Sequence, residues 1–316
     1  MKFPSSTLSR RRLSLRLVSW AVIIIVFMFF VVKLQESWHS VDKQEILDYA
    51  PTLLFAGLFF IVAVCASGAL WGAVLSTIGD KKVYWLEAIR VHLSSWLLKY
   101  IPGQVGSVAN KITWAQKNRY SKRDTTRSFI YENVFTLIAS LILAVPLLGL
   151  AMVRGGDVAT YAALSIAGLV LAFIVASPLV LDRAVNFALR LAKKEQIGSG
   201  VRLGWIDLVK FASLYLVPRV LTGLGFATIA LIYMDVTPYG ILISSSAYIF
   251  ASAVGLVAIF VPSGLGVREA VIVFFMAPLI GIEESIILAI LARFVSTAAD
   301  LGILALYSLL TIKGKK

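Results

Sequence analysis

Apolar runs of bilayer-spanning length recur from one end of this chain to the other. They lie at about Leu17–Val32, Pro51–Ile78, Ser128–Val153, Val158–Leu181, Leu208–Met234, Tyr239–Val261, Val267–Gly281 and Ser285–Thr311. Hydrocarbon offers no partner to a backbone N–H or C=O, so each run must pair these groups within itself as a helix. A span takes about 20 apolar residues, within about 17–25. The first and seventh runs are short by that measure. Of the 316 residues, 59% are hydrophobic and only 15% charged, too few charges to cover a soluble domain. The fold expected is an all-α polytopic integral membrane bundle of about eight transmembrane helices, forming one domain over residues 1–316.

Two places break the apolar pattern in the same way. Ile101-Pro102-Gly103-Gln104-Val105-Gly106 and Val261-Pro262-Ser263-Gly264-Leu265-Gly266 both read apolar-Pro-x-x-(Val or Leu)-Gly, and they lie 160 residues apart. Proline removes a backbone donor and glycine permits positive φ, so each site is expected to end one helix and start another. In lipid, such breaks survive only where protein covers them or where they line a wet cavity. A matched pair of broken segments in two halves points to a transporter's binding site. The matched offset predicts an internal duplication, with half-repeats of about 17–182 and 207–312, and a shared cavity for Pro102–Gly106 and Pro262–Gly266. Residues 85–101 mix Trp85, Ile89, Leu93 and Trp96 with Glu87, Arg90, His92 and Lys99. This amphipathic helix either lies in the interface or dips in and returns at Pro102–Gly106.

Loop charge sets the orientation. The tail 1–16 carries Lys2, Arg10, Arg11, Arg12 and Arg16 and no acid; residues 79–127 hold ten bases and three acids, and 183–210 six bases and two acids. The alternate loops differ: 33–50 holds two bases and four acids, and 282–285 only Glu283 and Glu284. Bases collect on the cytoplasmic side, which places both termini there and makes the number of crossings even. Val267–Gly281 is expected to cross, because a lone re-entrant segment there would put the lysine tail outside. The N-terminal run lacks a small-residue cleavage site and reads as a retained anchor. The net charge of +13 belongs to these loops, where anionic lipids attract it, and not to a nucleic-acid surface.

Chemistry-bearing motifs are few. Cys65 is the single cysteine, so no intrachain disulfide forms. His39 and His92 lack metal-ligand neighbours, and no HExxH, CxxC, P-loop or GxGxxG occurs. No metal or cofactor is expected. The informative residues are ionisable groups within or against apolar spans: Glu132, Arg219, Arg268, Glu269, Arg293 and Asp300. At a helix centre each costs roughly 2.5–3.5 kcal/mol on insertion scales, so such groups face the bundle interior and pair. Arg293 and Asp300 share one helix face about 10 Å apart, too far for a direct pair, and Arg268-Glu269 is the expected source of partners. The bland reading of each is a structural salt bridge. Arg127, Lys111 and Lys122 read as interfacial. A guanidinium holds phosphate in a fork and stays charged when buried. Arg268 sits two residues after Gly266, at a helix N-terminus that offers free N–H donors. Together these groups suit a phosphate-bearing lipid headgroup.

At these residues the chain resembles a known family. Leu98-Lys99-Tyr100-Ile101-Pro102-Gly103-Gln104-Val105-Gly106-Ser107, the run Val261 to Glu269, and Arg293 followed by Asp300 are similar to three signatures of the lysylphosphatidylglycerol synthase transmembrane-region family. The resemblance covers about residues 15–312. It implies a bundle with re-entrant elements working as a lipid translocase. In bifunctional members a soluble C-terminal domain transfers an aminoacyl group from tRNA to phosphatidylglycerol. The sequence ends at Lys316, five residues past the last span, so that activity is not expected here. The leading expectation is a flippase-like transporter of a bacterial inner membrane. It would move an anionic phospholipid, a modified phospholipid or a polyprenyl-phosphate-linked glycan between leaflets. Arg268, Arg293, Arg219 and Lys99 would hold the lipid phosphate. Glu269, Asp300 and Glu132 would orient these cations or take up a coupling proton. Pro102, Gly103, Gly106, Pro262, Gly264 and Gly266 would form the site and its gate. The rivals are a non-transporting partner of an envelope lipid or glycan synthase, and a membrane-embedded lipid-modifying transferase. Membrane lipids, such a biosynthetic enzyme and a second copy of the chain are the partners considered.

Overall fold

The computed structural model describes residues 48–99, 104–152, 166, 203–258 and 261–313, with side chains omitted at 146–152, 262 and 313. The expected spans Leu17–Val32 and Val158–Leu181, and the residues Pro102 and Gly103, lie outside the described residues. What is described is helical throughout: α1 Ala50–Ile78, α2 Trp85–Trp96, α3 Val105–Lys117, α4 Lys122–Met152, α5 Trp205–Leu214, α6 Leu216–Ala230, α7 Pro238–Val257, α8 Val267–Ile280 and α9 Ile282–Lys313. Five stretches among them are long and apolar enough to cross a membrane: Ala50–Ile78, Lys122–Val145, Trp205–Ala230, Pro238–Val257 and Ile282–Ile312. The chain is a multi-pass membrane protein. The run expected as Leu208–Met234 is two abutting helices with a turn at Tyr215.

Helices α2 and α3 form an antiparallel hairpin. Ser107 Oγ donates to the Ser95 carbonyl at 2.7 Å, and Trp114 Nε1 donates to Glu87 Oε1 at 2.7 Å. Twelve and thirteen residues make arms of about 18–20 Å, short of the roughly 30 Å hydrocarbon core. Leu93 and Ala88 are fully buried. The described part of 85–101, residues 85–99, therefore does not float in the interface; α2 packs into the bundle against α1. Glycine makes the contact close, since a Cβ at Gly72 would stand 2.3 Å from that of Ala88.

Helices α7 and α8 form a second hairpin. Phe250 packs edge-on against Phe275 with centroids 5.8 Å apart, and an added Gly264 Cβ would lie 2.8 Å from the Gly255 Cα. The turn uses left-handed backbone at Ser263 (φ 54°), Gly264 (φ 64°) and Gly266 (φ 83°). Fourteen residues give α8 about 21 Å, so it does not span alone. This corrects the expectation of an independent crossing, and the topology survives the correction. The hairpin's two ends, Thr237 and Gly281, lie on one side, so α9 runs the same way whether the hairpin counts as two crossings or none. The lone re-entrant segment that would strand the lysine tail outside does not arise.

Long helix α9 passes both tips. Arg293, eleven residues beyond Ile282, donates to the Ser263 carbonyl at 3.3 Å. Trp96 at the tip of the first hairpin donates to Asp300 at 2.9 Å, and Ile89 and Leu93 cluster with Ile303, Leu306, Tyr307 and Leu310. The second hairpin thus roots at the Gly281 end of α9, and the first at the Lys313 end. The two tips meet along the middle of α9 from opposite directions. Adding 160 to the numbers of α3 and α4 lands on α8 and α9, to within two to three residues. Entry from opposite faces makes this an inverted arrangement. Cysteine at Glu284 in a Cys65-free background is expected to label from outside the cell, and cysteine at Lys315 only from inside. External labelling of Lys315 would sink the charge-based orientation.

Candidate functional site

A cavity of about 210 Å³ opens between the two tips. Gln104 and Ser107 line it from the first hairpin, and Val261, Ser263 and Gly264 from the second. Both broken segments therefore face one cavity in their described parts. Gly106 is buried at the start of α3. Gly266 and the backbone of Pro262 belong to the second turn.

Five cations line the cavity: Lys99, Lys111, Arg219, Arg268 and Arg293. Each is held differently. Arg268 lays its guanidinium over the Tyr248 ring, 5.0 Å from the centroid. Tyr248 in turn stacks on Phe226 at 4.8 Å and leans on Phe60 at 5.6 Å. The Arg268 stem passes between two glycines, because a Cβ at Gly255 would meet its Cγ at 2.6 Å and one at Gly264 at 3.2 Å. Two glycines and an aromatic plate fix a flat guanidinium that stacks and forks at once. Arg219 follows Pro218 on α6, and its Nε is buried without a hydrogen-bond partner.

The carboxylates pair in ways the sequence only partly foretold. Glu269 sits 3.6 Å from Arg293 and also accepts from the Gly266 N–H at 2.7 Å. The helix N-terminus expected to offer a free donor there is capped by its own glutamate. Asp300, expected to orient a cation, holds Lys99 at 2.9 Å, and the Lys99 ammonium also lies 4.4 Å over the Trp96 ring. Successive residues point about 100° apart around a helix, so Arg268 lies over Tyr248 while Glu269 reaches Arg293.

Lys111 corrects a further expectation. It is 1% exposed, not interfacial, and donates to Glu132 Oε2. Its ammonium lies 4.4 Å over Trp71. Arg127 is buried as well and pairs with Asp124 at 3.2 Å. His92, set aside for want of metal ligands, contacts both Lys111 and Glu132. One signal in the sequence bears on this group. In each half the return arm of the hairpin is tied to the following long helix, by Lys111–Glu132 between α3 and α4 and by Glu269–Arg293 between α8 and α9. The polarity is reversed between the halves. A duplication that predicts one tie predicts the other.

Two hairpins that meet from opposite directions at a cation-lined cavity, within a bundle of membrane-length helices, define a polytopic helical membrane protein. Residues 16–303 match the family described as the lysylphosphatidylglycerol synthase TM region, and the chain belongs to that family. A search of curated proteins finds no match.

Proposed function

We propose that the protein is a flippase-like carrier that moves a phosphate-bearing lipid between the leaflets of a bacterial inner membrane, without chemistry of its own. The observation that carries this reading is the convergence of Lys99, Lys111, Arg219, Arg268 and Arg293 on one cavity inside an apolar bundle. Cations at this depth are expensive, and an anionic ligand offsets them. The cavity's 210 Å³ falls below the roughly 300 Å³ at which small-molecule pockets begin. It suits a headgroup, with acyl or prenyl tails left in lipid. Phe60, Val64, Leu256 and Ile303 supply an apolar wall beside the charges. An anionic phospholipid, a modified phospholipid and a polyprenyl-phosphate-linked glycan share the phosphate this site would read.

Reconstitution tests the reading. Liposomes carrying the protein and a fluorescent phosphatidylglycerol are expected to equilibrate the label between leaflets faster than empty liposomes, with no new lipid species on chromatography. A new lipid product would make the protein a transferase. Neither outcome would leave an assembly partner of an envelope synthase.

A further inference from the structure

His92 on α2, Lys111 on α3 and Glu132 on α4 meet at the cavity wall, and all three are buried. Lys111 Nζ donates to Glu132 Oε2 and lies 3.3 Å from His92 Nδ1. The other glutamate oxygen, Oε1, lies 3.2 Å from the same Nδ1. Nδ1 therefore stands between a donor, Lys111, and an acceptor, Glu132 Oε1, and either neutral tautomer of the ring answers only one of them. With the ring hydrogen on Nε2, Nδ1 and Oε1 face one another as two acceptors. One added proton on that edge turns the repulsion into a hydrogen bond, Nδ1–H to Oε1, while Lys111 keeps Oε2. In that tautomer the hydrogen sits on Nε2, and Nε2 is buried with no hydrogen-bond partner. A buried donor left without an acceptor costs about 1–3 kcal/mol.

We propose that His92, Glu132 and Lys111 form a proton-binding site, and that a proton and an anionic headgroup are taken up together. The second half rests on the carrier reading above. Protonation changes the cluster from neutral to a net single positive charge. It also makes Nε2–H part of an imidazolium beside the cavity, where an anionic oxygen satisfies it. Linkage then requires that the anion raise the affinity for the proton by the factor by which the proton raises affinity for the anion. Surrounding groups leave the added charge to be balanced by the ligand. Trp96 stacks on His92 at 6.3 Å, and Trp71 and Phe129 cover Lys111. At the α5–α6 junction Tyr215 lies within Coulombic reach of Glu132, and Arg219 on α6 within reach of Tyr215. Lys99 and Asp300 stand as a pair at the adjoining tip.

Two measurements on the full-length protein test this. In the first, short-chain phosphatidylglycerol is added to purified protein in weakly buffered detergent with a pH indicator. Wild type is expected to take up about one proton per bound lipid, and His92→Gln none, because glutamine donates and accepts but does not titrate. In the second, infrared difference spectra of the ligand-free protein are recorded over a pH range that extends well below the ordinary histidine value, because burial and then the Lys111 charge hold the His92 imidazole down. A protonation signal is expected in wild type and absent from both His92→Gln and Glu132→Gln. A cluster that only ties three helices together would move neither readout. No signal in the infrared titration overturns the proton site, whatever the lipid does. Signal without lipid binding leaves the proton site standing and removes the carrier reading. Lipid binding without proton uptake overturns the coupling.

Discussion

Lys111→Met is expected to cost roughly 3–5 kcal/mol of stability, because it strands Glu132 as a buried carboxylate without its cation. The lysine is 1% exposed, bonded to Glu132 and covered by Trp71 and Phe129. The double change Lys111→Met with Glu132→Leu is expected to regain most of the loss, since a dry apolar pair of similar size serves a buried site about as well as an ion pair. Arg293→Met is expected to cost less. Its side chain is 21% exposed and its carboxylate partner lies at 3.6 Å with a second bond to the Gly266 N–H. Unfolding in a denaturing detergent series, read by tryptophan fluorescence, ranks the four proteins. If Lys111→Met unfolds with wild type, the first hairpin is not held by this pair.

The helical spans were legible because lipid leaves the backbone no other choice, and because 59% apolar content leaves little room for another fold. The two turns were legible for a different reason. Ser263, Gly264 and Gly266 at positive φ need the small or flexible residues that break the apolar runs. Gln104 also adopts a φ of 54°, which an alphabet of glycines does not announce. What stayed hidden is pairing between elements. Lys111 looked interfacial because it lies 21 positions from Glu132 in a polar stretch. Only the return of α3 along α2 carries it inward. Asp300 is bonded to Lys99, 201 positions away, a pairing that no sequence spacing signals. The crossing assigned to Val267–Gly281 failed on length: its fourteen helical residues suffice only for an arm of a hairpin. Tyr248 gave no signal, since an aromatic in an apolar run is ordinary, and its role as a plate under Arg268 depends on where α8 folds back.

Arg268→Lys is expected to abolish most transport while leaving the fold intact. The substitution keeps the charge and the stem that passes between Gly255 and Gly264. It loses the planar fork and the stacking on Tyr248, which an ammonium cannot reproduce. Losing one charge-assisted hydrogen bond to a phosphate costs about 1.5–3 kcal/mol, or roughly 10- to 150-fold in headgroup affinity. Stability is expected to stay close to wild type, because Glu269 keeps its own ties to Arg293 and to its helix N-terminus. Tyr248→Leu is the companion variant. It retains the guanidinium and removes the plate, so it is expected to weaken transport by a smaller factor. Transport of fluorescent phosphatidylglycerol and thermal unfolding are measured on the same preparations. Normal transport by Arg268→Lys would move the headgroup away from this residue. A loss of transport that follows loss of stability across both variants would make the Arg268–Tyr248 stack a structural clasp.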